Sequence, residues 1–205
     1  MESGVSGGGG WFLAGLTAQE VSESLLLEPH REGGFFRETY RSTVQVSTAY
    51  GQRPLTTSIF YLATDDDPSR FHRLRSDELW FYHAGAPLEL VLLNPSTPQS
   101  EPKSSARGKL PYSSRIISPD LPQALVPACC WAAARVLTGE EADWGEGRAP
   151  ERRWTPDRRS THGYRWTLVS CVVFPGFEYD DFELADREEL LRAFPRAREV
   201  ILALT

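Results

Sequence analysis

From Leu55 to Ala63 (LTTSIFYLA), and again from Glu78 to Ala84 (ELWFYHA), β-branched and aromatic residues run in short blocks separated by a Pro-Ser pair and charged residues. Blocks of this length, bounded by turn formers, predict strands. Similar blocks at about 35–47, 88–93, 113–117, 131–137 and 164–174 extend the pattern, and together they predict a mainly antiparallel barrel or jelly roll. The period changes near each end. Thr17-Ala-Gln-Glu20 has the spacing of a capping box, and Val21, Leu25 and Leu26 follow at helical intervals, so a helix is predicted over 18–27, stopped by Pro29. Asp186 to Phe194 predicts a second short helix, capped by Asp186 and ended by Pro195.

Three stretches carry no such period. The tail 1–15 opens with MESGVSGGGG and is expected to be disordered, while the polar, turn-rich segments 94–109 and 138–163 are expected to be loops. In the second loop acidic and arginine residues nearly balance, and Trp144 and Trp154 are expected to pack on the protein's own surface. Residues 16–205 are expected to form a single domain, because a 205-residue chain that is 40% hydrophobic can bury one good core.

Charge and cysteine content narrow the function. A formal net charge of -6 argues against a general binder of nucleic acid or anionic membrane, which needs a basic surface. No apolar run approaches bilayer length and the N-terminus lacks the order of a secretory signal, so no membrane association and a cytoplasmic location are expected. Cys129, Cys130 and Cys171 do not make a disulfide framework, and reduced thiols are expected.

Alternation along the predicted strands selects the candidate pocket. It puts Glu78, Trp80 and Tyr82 on one face, with Leu79, Phe81 and His83 on the other. A glutamate grouped with two large aromatics suits a pocket better than an open surface. In the preceding block Arg37, Thr39 and Arg41 alternate with Phe36, Glu38 and Tyr40, so one charged face is available for an anionic ligand or a second subunit.

The spacing His72, Leu74, Glu78, Gly85 resembles the first cupin motif, HxH(x)3E(x)6G, with Leu74 in place of its second histidine. The segment from Val126 to Arg135 is similar to the second motif, but Cys129 stands for its glycine and Ala132 for its histidine. Four blocks, at 28–42, 71–90, 126–137 and 175–190, resemble the DUF985, or cupin-5, branch of that superfamily in the expected order. The resemblance implies an all-β double-stranded β-helix, a jelly-roll barrel, with a short helix at each end. It also implies a homodimer formed by exchange of N-terminal strands, in which Arg37 or Glu38 completes the partner's pocket.

Chemistry is left with alternatives. A first-row metal needs three or four converging ligands, and two of the four cupin positions are lost; His72 and Glu78 alone would hold a metal weakly unless Cys129 or Cys130 supplied a thiolate. No metal and no cofactor are therefore expected. A free imidazole titrates near neutrality, which suits a histidine such as His72 to proton abstraction next to a carbonyl, with Asp77 or Glu78 orienting the ring and Tyr82, Tyr61 or Tyr40 returning a proton. That arrangement resembles the metal-independent sugar epimerases of the superfamily. The expected site has His72, Glu78 and Tyr82 in catalysis, with Glu38, Tyr40, Tyr61, Trp80 and Trp131 binding the ligand. The expected function is a small-molecule pocket protein, an isomerase or epimerase of a carbohydrate-like or nucleotide-sugar ligand. The rivals are a non-catalytic binding protein, a metal-dependent cupin enzyme, and a His72 that merely satisfies a hydrogen bond inside the barrel.

Overall fold

The apolar run Leu88–Leu93 (LELVLL) is buried along its whole length because it lies between two cores. Leu88, Leu90 and Leu92 face the barrel interior, while Val91 and Leu93 face a second core built with the C-terminal helices. A strand covered on both faces loses the polar half of its alternation, which is why this block reads as continuous. Its lone charge, Glu89, accepts hydrogen bonds from Arg135 and Ser114.

The computed structural model describes residues 13, 15–94, 112–138 and 163–205. In chain order the elements are α1 (Ala18–Leu25), β1 (Glu28–Pro29), β2 (Phe35–Arg41), β3 (Gln45–Thr48), β4 (Gly51–Pro54), β5 (Thr57–Thr64), β6 (Ser69–Leu74) and β7 (Asp77–Gly85). There follow β8 (Leu88–Leu93), β9 (Ser113–Ile117), β10 (Gln123–Val126), β11 (Trp131–Val136), β12 (Trp166–Phe174), β13 (Phe182–Leu184), α2 (Arg187–Ala193) and α3 (Arg198–Ala203). One sheet has the order β1-β2-β5-β12-β7-β10 and the facing sheet β13-β6-β11-β8-β9; β3 and β4 form a separate hairpin. Every strand pairing described is antiparallel. The fold is an all-β jelly roll with short helices at both ends, as the periodicity predicts.

The differences from the sequence reading lie in short elements. The strand expected over 35–47 divides into β2 and β3, and β1, β4, β6, β10, β13 and α3 were not expected. These are brief segments with charged or exposed positions, whose periodicity is weak. The helix predicted over 18–27 has the capping box at Thr17 and Glu20 but ends at Leu25, where Leu26 turns left-handed at φ 54°. The cap at Asp186 accepts from the Glu189 backbone as expected (2.9 Å). Of the tail expected to be disordered over 1–15, residues 1–12 and 14 lie outside the described residues, as do most of both expected loops with Trp144 and Trp154. Leu13 is instead buried in the cluster with Val21 and Trp166, and the Gly15 amide donates to the Tyr164 hydroxyl. No described helix is long and apolar enough to cross a membrane.

Two positions of the paired motifs are set by backbone geometry. Gly85 sits at φ 101°, and a Cβ there would lie 2.2 Å from the Trp166 carbonyl oxygen, so only glycine allows β7 to close against β12. Cys129 adopts φ 61°, a left-handed conformation that a glycine would adopt without strain. Gly85→Ala is expected to destabilise the protein by about 2 kcal/mol or more. Cys129→Gly is expected to be neutral or stabilising, by up to about 1 kcal/mol, since relief of strain is partly offset by chain entropy. Calorimetric melting of both variants reads the difference, and a Gly85→Ala protein as stable as the parent would contradict this closure.

Candidate functional site

The inward-facing residues of both sheets leave a cavity of about 110 Å³. Phe36 and Glu38 enter it from β2, Ile59 and Tyr61 from β5, Glu78 and Trp80 from β7, and Cys171 and Val173 from β12. The opposite wall is His72 and Leu74 of β6, with Phe182 of the adjoining β13. His72 and Glu78 therefore come from different sheets and line one cavity, each almost wholly buried (3% and 6% exposed).

A second acidic group sits beside His72. Between β1 and β2 the chain turns at Gly33 and Gly34; at Gly34, φ is 65° and a Cβ would lie 2.5 Å from the Leu62 carbonyl oxygen. Asp67 accepts from the Gly34 amide (2.8 Å) and the Tyr61 hydroxyl donates to the Gly33 carbonyl (2.9 Å). This tight return lays Glu32 inside the barrel, where its Oε2 is 3.3 Å from Nδ1 of both His30 and His72 and its Oε1 accepts from Ser69 (2.9 Å). Burial alone would raise the Glu32 pKa, but the positive potential of His72 and His30 and the histidine and serine hydrogen bonds outweigh it, so the carboxyl stays below its ordinary value.

The tautomer of His72 follows from its partners. Nδ1 lies 2.9 Å from the Arg70 carbonyl oxygen, which can only accept, so Nδ1 carries the proton. In the neutral ring Nε2 then holds the lone pair. The imidazole stacks on Phe182, with ring centres 5.5 Å apart.

Glu78 has the opposite character. Its Oε2 accepts from Trp80 Nε1 (2.7 Å), yet burial, with the nearby Glu32 charge, pushes its pKa up to about 7 against the opposing pull of His72 and Trp80. Two carboxyls in one cavity thus have separated acidities, a pattern that divides acid and base roles. Burial also pushes the Cys171 thiol well up, with Glu78 adding to the effect, so this sulfur stays protonated.

Of the residues expected in the pocket, the structure brings together His72, Glu78, Trp80, Tyr61 and Glu38. It does not bring Tyr82, Tyr40 or Trp131 there. Tyr82 lies further along β7, partly buried against the core, with its hydroxyl committed to the Gly85 carbonyl (2.6 Å). A bulge at Thr39 shifts the register of β2 between Glu38 and Tyr40, which turns Tyr40 outward (55% exposed) and brings Arg41 to the cavity instead. Trp131 faces the C-terminal helices, because Ala132 beside it faces the barrel.

Other expectations change with these placements. Asp77 accepts from the Ala128 amide (2.7 Å), so Glu32 is the carboxylate that faces the His72 ring nitrogen. His30, Glu32, Arg41, Phe177, Glu178, Tyr179 and Phe182 are cavity residues that sequence reasoning did not select. The Gly-Gly pair after Glu32 was the available signal for the first two; the others arrive through a bulge and a long-range connection.

The donor set does not fit a cupin metal. The two lost ligand positions are adjacent to the site itself: Leu74 lines the cavity, and Ala132 pairs in register with His72. Neither thiol compensates, since Cys129 is exposed and Cys130 is buried against the Leu93 and Trp131 carbonyls. Among the described residues no group of three or more His, Cys, Asp or Glu is arranged to hold an ion.

The raised Glu78 pKa has a definite sign in stability. Between pH 4.5 and about 7 the unfolded chain ionises Glu78 while the folded protein keeps it protonated, so stability falls as pH rises through this window. The loss is on the order of 3 kcal/mol. Glu78→Gln retains an acceptor for Trp80 and removes this dependence. The variant is therefore expected to gain stability relative to the parent on going from pH 5 to pH 8, and a constant difference across that range in denaturant melts would refute the assignment.

Comparison with known proteins agrees with this architecture. A family model described as Cupin superfamily (DUF985) matches residues 19–185. The uncharacterized protein YML079W of Saccharomyces cerevisiae is 27% identical over 186 residues, which span 85% of this chain and 78% of that protein. A hypothetical protein from Leishmania major is 31% identical with a TM-score of 0.71, covering 93% of this chain and 99% of its own. Protein SO0799 from Shewanella oneidensis is 30% identical with a TM-score of 0.67, covering 93% and 98% respectively. With the paired motifs on facing sheets and the family match running through nearly all of the jelly roll, the chain belongs to the DUF985 family of the cupin superfamily.

Proposed function

We propose that the cavity binds a small polar, carbohydrate-like molecule and isomerises or epimerises it by metal-independent proton transfer. The observation that carries this reading is the pairing of His72 and Glu78 across the cavity, with Glu32 and Arg70 holding the His72 ring from behind. His72 Nε2 takes a proton from the carbon next to a carbonyl, and the electron pair moves to the carbonyl oxygen as an enolate. Protonated Glu78 returns a proton to carbon from the other wall, and the electron pair flows back to restore the carbonyl. His72 then gives up its proton, and Glu78 regains one, through exchange with water. The ionised Glu32 stabilises the imidazolium formed in the first step, and a Glu78 pKa of about 7 keeps its acid form available near neutrality. The tyrosines are not needed as acids, since Tyr61 and Tyr82 both donate to backbone carbonyls.

Solvent deuterium exchange tests the chemistry directly. The parent protein is expected to wash deuterium into a bound sugar at the carbon next to its carbonyl, whereas His72→Ala keeps ligand affinity within about threefold and loses exchange by at least about 100-fold. Binding without exchange in the parent would instead leave a binding protein.

The same reading includes a homodimer. Arg37 lies on the outward face of β2, the charged face available to a second subunit, and the strand is exposed from Glu38 to Arg41. Sedimentation is expected to give a dimer that Arg37→Ala weakens; a monomer at micromolar concentration would reject it.

A further inference from the structure

Four carboxyl groups line the cavity, Glu32, Glu38, Glu178 and the largely protonated Glu78, against one guanidinium, Arg41. That guanidinium is already engaged. Its Nε and Nη2 donate to Glu38 (3.1 and 2.8 Å), its Nη1 to Glu178 (2.7 Å), and Nη2 also to the Phe177 carbonyl (3.3 Å). Four of the five donors of an arginine are thus spent on the protein. The bulge at Thr39 puts Arg41 in this position, between β2 and the 177–178 segment. Arg31 lies over the Tyr179 ring (4.3 Å) and does not line the cavity.

An anionic group entering here meets a closed account of charge. To reach Arg41 it must displace Glu38 or Glu178, and the displaced carboxylate then repels it at close range. Deeper in, the ionised Glu32 lies 3.3 Å from Nδ1 of both His30 and His72 and sets a negative charge at that end of the cavity, against an entering phosphate. Space points the same way, because a cavity of about 110 Å³ holds at most a single small ring and has no room for a nucleotide. The faces of Trp80 and Phe182 offer apolar surface to a ring.

We infer that the ligand is an unphosphorylated polyol of monosaccharide size, uncharged or bearing an amine, and that Glu38, Arg41 and Glu178 are specificity residues that turn anionic sugars away. This rests on the carbohydrate reading above and narrows it, since nucleotide sugars carry the excluded charge. The pairs at the mouth are partly exposed and screened, so the discrimination is about tenfold or somewhat more, not absolute.

Calorimetric titration of the full chain with glucose, glucosamine, glucose 6-phosphate and inorganic phosphate tests it. Glucose or glucosamine is expected to bind at least about tenfold more tightly than glucose 6-phosphate, and inorganic phosphate not to bind. In the double variant Glu38→Gln, Glu178→Gln this penalty is lost and phosphate binding appears; adding Arg41→Ala abolishes the gained binding. Circular dichroism verifies that the variants, altered only at the cavity mouth, keep their fold. Glucose 6-phosphate binding the parent as tightly as glucose, unchanged discrimination in the double variant, or binding of none of the sugars would overturn the inference. Glucose or glucosamine binding without deuterium exchange would sink the isomerase and leave this inference standing, while exchange into tightly bound glucose 6-phosphate would do the reverse.

Discussion

The carboxylate of Glu32, held between two imidazoles inside the barrel, is the constraint on which the site depends. A buried charge is tolerated only when it is paired and hydrogen-bonded, and Glu32 meets that condition with His30, His72 and Ser69 around it. Its backbone takes part as well, since the Glu32 carbonyl accepts from the Arg70 amide. One side chain therefore ties the turn before β2 to β6 and fixes the orientation of His72. Without it, His72 would keep only its contact to the Arg70 carbonyl and its stack on Phe182.

This arrangement replaces one way of organising a barrel interior with another. Where the superfamily motifs place histidines, this chain has Leu74 and Ala132, and the cavity wall at those positions is apolar. Polarity is concentrated instead in a carboxylate–imidazole cluster on one side and in Glu78 on the other. The two acids differ because their neighbours differ: two imidazoles and a serine hydroxyl hold Glu32 below its ordinary value, while burial and the Glu32 charge push Glu78 up against the pull of His72 and the indole N–H of Trp80. Low polarity around the pair makes each of these influences stronger than it would be in water.

Around the site, aromatic rings set the shape of the cavity. Phe182 reaches it from β13, far along the chain, and stacks on His72, while Phe177 and Tyr179 pack edge-on with one another. The segment that carries them is anchored by Arg53, whose guanidinium forms a bidentate, buried pair with Asp181 at 2.6 and 2.9 Å. The mouth of the cavity is thus held by long-range ion pairs, and its floor by the local turn at Gly33 and Gly34.

Periodicity and capping by themselves determined a jelly roll with two capped helices, because alternation and caps are local, while the spacing that resembles the cupin motif supplied the pairing of His72 with Glu78. Parity also held enough information to send Trp131 outward once Ala132 was taken to face the barrel, since adjacent strand residues take opposite faces. Tertiary structure alone decided the rest. A one-residue bulge at Thr39 exchanged Tyr40 for Arg41, and the return at Gly33 and Gly34 laid Glu32 beside His72. Residues 177–182 were brought to the mouth by an ion pair spanning 128 positions. Bulges, turns and distant ion pairs depend on what the chain meets after folding, and alternation carries no record of that.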